Sequence, residues 1–329
     1  MEKKPNMVFA GSSEFAIPVL EGLIQQGFTP DLILTKPART HTRGKRIQKN
    51  PVKLFYKNLS DKLKKSINLL EVMDLHDQAV LQKIKQTDCQ VMIVACFGLM
   101  IPDNVLTIPK YGCLNLHPSL LPKYRGPSPI QTAILNNESK TGVSVIKLTS
   151  EMDAGPILAQ KPINIPANAD SVTLSQILAQ ASAKLLIQNL MPFLENKIKL
   201  EPQNHDQATY TILFTKKHGH INWQKKAQDI LNQIQAFKSW PGSYTFYTNQ
   251  NKNQTIKIDI LEAAYQKSSA QKKQKPGTVI CNKNISDYPL VQTGKGLLEL
   301  IQIKPQNKKA MSALAFINGY PGFINSELN

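Results

Sequence analysis

Two polar side chains lie close together in an otherwise apolar stretch near the middle of the chain. Asn115 and His117 are two positions apart within GCLNLH, residues 112–117. Side chains alternate between the two faces of a strand, so Leu114 and Leu116 would pack on one side while the amide and the imidazole emerge together on the other. Such a pair can hold a ligand and move a proton, although the spacing alone also fits a hydrogen-bonded structural pair.

The residues that follow predict a rigid loop beside these two groups. Pro118 ends the strand, and in open α/β sheets ligands bind at the carboxyl ends of the strands. The next segment, SLLPKYRGPSP at 119–129, combines prolines with an apolar interior and an isolated Arg125. A rigid apolar loop beside Asn115 and His117 predicts a pocket for a flat ligand.

A third candidate for chemistry is Asp153, in the turn SEMDAG between two predicted strands at 142–148 and 157–165. A turn aspartate often bonds only to its own backbone. If this hairpin leans over the sheet edge, Asp153 could instead reach His117. A carboxylate there would fix the imidazole tautomer and stabilise the charged ring, as proton transfer requires.

A basic segment follows the second predicted strand. TKPARTHTRGKRIQKNPVK, residues 35–53, contains many cations and no acidic residue, and it holds three of the four arginines of the chain. Charge runs are usually solvated surface, and Lys49 and Lys53 fit that interpretation. The residues grouped around Gly44 favour contact with a phosphodiester backbone instead; they are Arg39, Arg43, Lys45 and Arg46.

The order of elements in the first half predicts a doubly wound α/β fold with a mostly parallel sheet. Apolar runs predict strands at 7–11, 31–35, 91–96 and 112–117, and helical periodicity predicts helices at 14–26, 75–86 and 129–136. A further helix, capped by Asp170 or Ser171, closes this domain near Asn196.

The second half has a different pattern. A helix at 224–237 precedes five short strands separated by turn residues, at 243–248, 255–261, 277–281, 289–293 and 296–303. In the second of these strands Ile256, Ile258 and Ile260 lie on one face. This arrangement predicts a small β-barrel of the OB type.

Length and charge indicate two domains. The chain has 329 residues, about twice a typical domain. We expect an α/β domain at 1–196, a polar linker at 197–210 and a basic barrel at 211–329. The formal net charge is +17, with 24 basic and 17 acidic residues up to position 206 and 16 basic and 6 acidic after it. The barrel is therefore the more basic part and suits a polyanionic partner.

Several classes of protein are disfavoured. The longest apolar run, 91–101, is too short to span a bilayer, and the N-terminus lacks the pattern of a signal peptide. GSSEF at 11–15 lacks the glycines of a dinucleotide fingerprint, and no Walker lysine motif is present. The histidines and four cysteines lack metal-ligand spacing. We therefore expect a cytoplasmic protein with reduced thiols, no metal, no nucleotide cofactor and no membrane.

The whole chain resembles the folate-dependent formyltransferases. NLHPSLLPKYRGPSPIQ and the Asp153 segment TGVSVIKLTSEMDAGPIL are typical of that superfamily. VFAGSSEFAIPVL, the basic loop ending in RGKR, GHINW, FKSWPGSY and KKAMSALAFINGY are similar to the branch that formylates methionyl-tRNA.

The resemblance implies roles for residues and ligands. Asn115, His117 and Asp153 fall on the catalytic trio, with Asn115 and His117 as donors to an oxyanion and Asp153 with His117 as proton acceptor. The folate segment is Ser119, Leu120, Leu121 and Pro122, and Arg43 matches an important arginine of the tRNA loop. The implied co-substrate is 10-formyltetrahydrofolate, and the implied partner is initiator methionyl-tRNA, with no obligate protein partner.

Two other functions remain open from the sequence. A formyl-folate enzyme acting on a sugar nucleotide amine, or on water, would keep the trio but would not need a basic barrel. An RNA-binding protein without catalytic activity would keep the barrel but would not need the trio.

Overall fold

The computed structural model describes residues 4–40, 47–249, 253–266 and 274–329. It divides the chain into two compact units. The first comprises Met1–Pro129, Lys140–Asn164 and Ser175–Thr211, and the second comprises Ile130–Ser139, Ile165–Leu174 and Ile212–Asn329.

The described part of the chain up to residue 194 contains the strands and helices that position the residues of interest. The strands are β1 (Met7–Gly11), β2 (Leu32–Thr35), β3 (Arg39–Thr40), β4 (Ile47–Gln48), β5 (Asn68–Glu71), β6 (Val91–Ala95), β7 (Cys113–His117), β8 (Lys140–Lys147) and β9 (Ile157–Asn164). The helices are α1 (Ala16–Gln25), α2 (Pro51–Lys57), α3 (Asp61–Ser66), α4 (Gln78–Gln86), α5 (Asp103–Leu106), α6 (Pro129–Leu135) and α7 (Ser171–Leu194).

A seven-stranded sheet positions the residues of interest. Its order is β5-β2-β1-β6-β7-β8-β9. The first five strands in this order run parallel, and β8 and β9 join as an antiparallel hairpin. The predicted doubly wound, mostly parallel sheet is confirmed. The hairpin does not lean over the sheet edge; it continues the sheet beside β7.

Burial explains why these segments form strands. Every residue of β1, β2 and β6 is buried, as expected for strands covered on both faces. The side chains of one face pack against α4 through Val80, Leu81 and Ile84. The predicted helix at 75–86 begins three residues later, because the Asp77 side chain accepts the Ala79 N–H and caps the first turn.

Within the basic segment, β3 pairs with β4 in a short antiparallel ribbon. Buried Asn50 fixes its base. The Asn50 side chain donates to Thr35 Oγ1 at 2.9 Å and to the Lys36 carbonyl, and it accepts the Lys53 N–H at the start of α2. The ribbon is therefore anchored at the carboxyl end of β2.

The second unit contains an antiparallel sheet. Its strands are β10 (Ser243–Asn249), β11 (Gln254–Gln266), β12 (Val279–Ile280), β13 (Leu290–Gln292), β14 (Leu297–Pro305) and β15 (Met311–Ser312), and its helices are α8 (Ala227–Ala236) and α9 (Ala313–Gly319). The order is β10-β11-β14-β13-β12, with β15 paired to β14. Ile256, Ile258 and Ile260 point into its core, as predicted.

Residues 326–329, which we call the seam, close this sheet into a barrel. On one side Phe246 in β10 exchanges two backbone hydrogen bonds with Asn329, at 2.8 and 3.1 Å. On the other side the Leu328 N–H donates to Gly277 and the Val279 N–H donates to Ser326. The seam thus joins the two edge strands β10 and β12, and the predicted barrel is confirmed.

Among the helices in the described parts of the chain, none is both long and apolar enough to cross a membrane.

Candidate active site

Asn115 and His117 lie at the carboxyl end of β7, where the sequence placed them. Leu114 and Leu116 are buried on the opposite face, so the alternation predicted for this strand is observed. His117 is itself almost fully buried, and its backbone pairs with Ser144 of β8. The ring therefore has a fixed environment.

Asp153 reaches both of these side chains from the loop between β8 and β9. Its Oδ1 accepts from Asn115 Nδ2 at 3.4 Å, and its Oδ2 lies 3.5 Å from His117 Nδ1. The Gly126 N–H donates to the same Oδ2 at 2.8 Å. The carboxylate thus sits between an amide, an imidazole and a backbone N–H.

The shape of this loop depends on two special positions. Asp153 has φ +52°, a left-handed conformation that aspartate tolerates better than most residues. A Cβ at Gly155 would lie 1.8 Å from the Lys147 carbonyl oxygen, so the close return of the chain there requires glycine.

The second nitrogen of His117 is also engaged. Nε2 lies 2.9 Å from the Tyr124 carbonyl oxygen, which can only accept a hydrogen bond. Nε2 therefore donates to this carbonyl, and Nδ1 faces Asp153. Both ring nitrogens thus face oxygen atoms of the protein.

The segment Ser119–Pro122 folds back onto the hairpin. Ser119 and Leu121 are buried, and Ser144 Oγ donates to the Ser119 carbonyl at 2.7 Å and accepts from the Leu121 N–H at 3.1 Å. Leu120 packs directly on Gly142, where a Cβ would meet its Cδ2. The loop is rigid, and Leu120 and Pro122 are the two residues that keep partial exposure.

Arg125 is 1% exposed and makes an uncommon set of contacts. Nε and Nη2 donate to Gln203 Oε1 at 3.2 and 2.7 Å, and Nη1 donates to the Tyr210 hydroxyl at 3.3 Å. Both Nη atoms approach His205 Nδ1, at 3.5 and 3.4 Å. A guanidinium only donates, so His205 accepts at Nδ1.

Residues 197–210, expected as a linker, lie within the first unit. Glu201 exchanges backbone hydrogen bonds with Ile157, and the Arg125 N–H donates to the Thr209 carbonyl. Gln203 was not identified from the sequence, because a glutamine in a polar stretch without periodicity gives no signal. The nearest signal in the sequence was the isolated Arg125, because a guanidinium in an apolar loop needs hydrogen-bond acceptors.

Of the four basic residues named from the sequence, the structure describes Arg39 alone. Arg39 begins β3, while Arg43, Lys45 and Arg46 lie outside the described residues. Within the described ranges, no three His, Cys, Asp or Glu side chains are grouped so that they could hold a metal ion.

Family models match both parts of the chain. A model described as "Formyl transferase" matches residues 5–190, and one described as "Formyl transferase, C-terminal domain" matches residues 214–321. Together they cover most of the sequence.

Individual relatives are similar over nearly the full length. Methionyl-tRNA formyltransferase of Chloroflexus aggregans is 36% identical over 95% of this chain and 96% of its own. The enzyme of the same name from Caldanaerobacter subterraneus is 33% identical with the same coverage.

Solved structures share the fold. HypX from Aquifex aeolicus, in complex with tetrahydrofolic acid, aligns with a TM-score of 0.64 at 14% identity, covering 98% of this chain and 48% of that one. WlaRD, a sugar 3N-formyl transferase, aligns with a TM-score of 0.59 at 19% identity, covering 93% of this chain and all of the other.

Proposed function

This chain belongs to the formyl transferase family, and we propose that it transfers the formyl group of 10-formyltetrahydrofolate to the α-amine of initiator methionyl-tRNA. Similarity to methionyl-tRNA formyltransferases over nearly the full length of the chain supports the substrate. One observation carries the assignment of the site: the Asp153 carboxylate contacts Asn115 and His117 at the carboxyl end of β7.

Asn115 is suited to stabilise the intermediate. Attack of the amine on the formyl carbon gives a tetrahedral oxyanion, and the bond to N10 of the folate then breaks. Asp153 accepts one amide hydrogen of Asn115, so the second can be donated to the oxyanion. A well-placed donor of this kind contributes about 3 kcal/mol to lowering the barrier.

Asp153 and His117 are assigned to proton transfer. The amine must be neutral to attack, and α-amines titrate near about 7.7. As the new C–N bond forms, the amine nitrogen loses a proton, which the Asp153–His117 pair accepts, and N10 gains a proton as it leaves. We place His117 here rather than at the oxyanion because both its ring nitrogens face protein oxygens.

The folate site is assigned to the loop Ser119–Pro122. Ser119 and Leu121 are buried and serve to shape the loop. Leu120 and Pro122 keep partial exposure, so a flat ring system would contact their side chains and the adjacent backbone. This apolar strip follows directly on β7, which carries Asn115 and His117.

The tRNA contacts are assigned to the basic segment and to the barrel domain that we propose at residues 211–329. In the basic segment, residues 35–53, the proposed contacts are Arg39, Arg43, Lys45 and Arg46. Beyond position 206 the chain has 16 basic and 6 acidic residues, which favours binding of a polyanion.

An aromatic patch on the barrel supports this assignment. It consists of His220, Tyr244 and Phe246, whose ring centroids lie 5.3 to 5.7 Å apart. His220 is exposed and the other two are half-buried, because alternate residues of β10 point into the barrel. Lys257 lies over the Tyr244 ring but also pairs with Asp259. Because Lys257 is paired, we assign the contact to the three aromatic rings. We propose that they stack on an unpaired base of the tRNA.

These substrates belong to translation, so we also propose a cytoplasmic location and activity without an obligate protein partner.

The test is an assay of the purified protein with 10-formyltetrahydrofolate and three acceptors. We expect N-formylmethionyl-tRNA to form, with little formylation of a nucleotide-linked amino sugar and little formate release in water. Preferential formylation of the sugar, or hydrolysis, would favour the alternative formyl-folate enzymes. Binding of tRNA without any turnover would favour an RNA-binding protein without catalytic activity.

A further inference from the structure

We infer that Gln203, held by Arg125, is a positioning residue for Asp153. Gln203 lies outside the β7 cluster and belongs to the segment that the sequence predicts to be a linker. It is 6% exposed. The inference rests on the proposed function, because formylation is the activity that Asp153 would serve.

Arg125 fixes which way the Gln203 amide faces. Its Nε and Nη2 both donate to Gln203 Oε1, so the oxygen must point toward the guanidinium. The amide nitrogen is then directed to the opposite side. A side-chain amide that is free to rotate would have no such defined direction.

The Gln203 nitrogen holds the loop that carries Asp153. Nε2 donates to the Asp153 carbonyl at 2.8 Å and to the Gly155 carbonyl at 2.7 Å. Asp153 has a positive φ that few residues adopt without support from their surroundings. Two hydrogen bonds from one buried amide supply such support.

The contacts form a closed ring. Gln203 holds the Asp153 backbone, Arg125 holds Gln203, and the neighbouring Gly126 N–H holds the Asp153 carboxylate at 2.8 Å. The backbone and the carboxylate of Asp153 are thus fixed from the same short stretch of chain. Rotation of the Gln203 amide would free the backbone while leaving the carboxylate bonded.

The alternative is that Gln203 has a structural role only and does not position Asp153. Gln203 could serve only to attach residues 197–210 to Arg125 and the rest of the first unit. The variant Gln203→Glu separates the two roles, because a carboxylate still accepts from the guanidinium, with charge assistance. It has no N–H for the Asp153 and Gly155 carbonyls, however, and places an oxygen against them.

The experiment compares the formylation kinetics and melting temperature of Gln203→Glu with wild type. We expect kcat to fall by about tenfold or more, since small displacements of a reacting group are costly. We expect KM for both substrates to stay within about twofold and the melting temperature not to fall. The matched control is Gln207→Glu, the same change at an exposed position four residues later, which should behave as wild type.

A second variant, Arg125→Lys, keeps the charge but cannot make both contacts to Gln203, and it should also lower kcat without changing KM. A wild-type kcat in folded Gln203→Glu, or in Arg125→Lys if the first variant does not fold, would overturn the inference. So would a loss of kcat accompanied by a lower melting temperature and altered KM. Absence of formylation by the wild-type protein would instead contradict the proposed function.

Discussion

Arginine at position 125 makes contacts that lysine could not reproduce. Three of its nitrogen atoms donate to the Gln203 amide, the His205 ring and the Tyr210 hydroxyl. An ammonium on a flexible stem has no such planar fork. This chain has 40 Lys and Arg residues, of which four are arginine. These three partners explain why an arginine occupies position 125.

At the residue scale, the first prediction concerns the proton-transfer pair. We expect His117→Ala and Asp153→Ala each to lower kcat by about 100-fold or more, since positioned acid–base groups contribute factors of about 10² to 10⁴. The affinity for tRNA should hardly change, because these groups act on the reacting centre. Steady-state kinetics and a binding titration measure the two quantities.

The control for this prediction is His76→Ala, which removes an exposed histidine of the first unit. It should retain wild-type turnover. If His117→Ala or Asp153→Ala keeps more than a tenth of the wild-type kcat, that residue has no place in the mechanism.

The sequence allowed part of this site to be predicted. Strand alternation placed Asn115 and His117 together, and the turn between paired strands placed Asp153 near a strand end. The residues that hold the Asp153 loop in place were not predictable. Gln203 bonds to residues 50 and 78 positions away, and neither its type nor its neighbours in the chain indicate those contacts.

At the element scale, the β8–β9 hairpin determines where Asp153 lies. In Gly155→Ala the new Cβ would stand 1.8 Å from the Lys147 carbonyl, so the loop must shift. We expect the free energy of unfolding to fall by about 1–3 kcal/mol, with a loss of kcat because Asp153 is displaced. Gly319→Ala is the matched control, since no heavy atom lies within 4 Å of its added Cβ. Thermal melts and rates of both variants decide the outcome.

The next prediction concerns the basic segment, residues 35–53. Arg43→Lys keeps the charge but loses bidentate and stacking contacts. We expect formylation of methionyl-tRNA to slow by about tenfold, equivalent to about 1.4 kcal/mol. Exposed Lys49→Ala should have little effect, and KM for 10-formyltetrahydrofolate should be unaltered in both variants. A wild-type rate in Arg43→Lys would mean that the basic segment supplies only general charge.

How well a strand could be predicted from the sequence depended on how fully it is buried. Fully buried strands such as β1 and β6 gave continuous apolar runs and were predicted. The edge strand β5 was not, because its outer residues Asn68 and Glu71 are exposed and break the pattern. The small barrel was predicted from its strands, but the seam was not, since its pairing depends on distant segments.

At the scale of the whole molecule, the contributions of charge and of aromatic stacking to tRNA binding can be measured separately. We expect Phe246→Ala to weaken tRNA binding by about 1–3 kcal/mol without changing the slope of log Kd against log salt. Neutralising a phosphate contact lowers that slope by about 0.7 to 0.9. Lys304→Gln, which removes an exposed cation on β14, two strands away in the same sheet, provides this comparison. An unchanged affinity in Phe246→Ala would remove the aromatic patch from the interface.

The thiols provide a further test of the packed first unit. Burial raises the pKa of both Cys89 and Cys113 to about 12. The thiolate is the reactive form, so at pH 8 almost none is present at these two positions. We expect iodoacetamide to label exposed Cys281 in the native protein and to label Cys89 and Cys113 only after denaturation. Native labelling of either buried thiol, measured by mass spectrometry, would contradict the packing described.

The seam also bears on how the second unit folds. Thr245 and Asn329, which it brings into hydrogen-bond contact, are 84 positions apart. Closing so long a stretch of chain has an entropic cost that must be met before the contacts form, and folds dominated by distant pairings form slowly. Until the seam is in place, β10 and β12 both present unpaired backbone groups, which can pair with other chains. Insertion of these four residues is therefore expected to be the late step in refolding, and the interval before it is when the protein is most prone to aggregate.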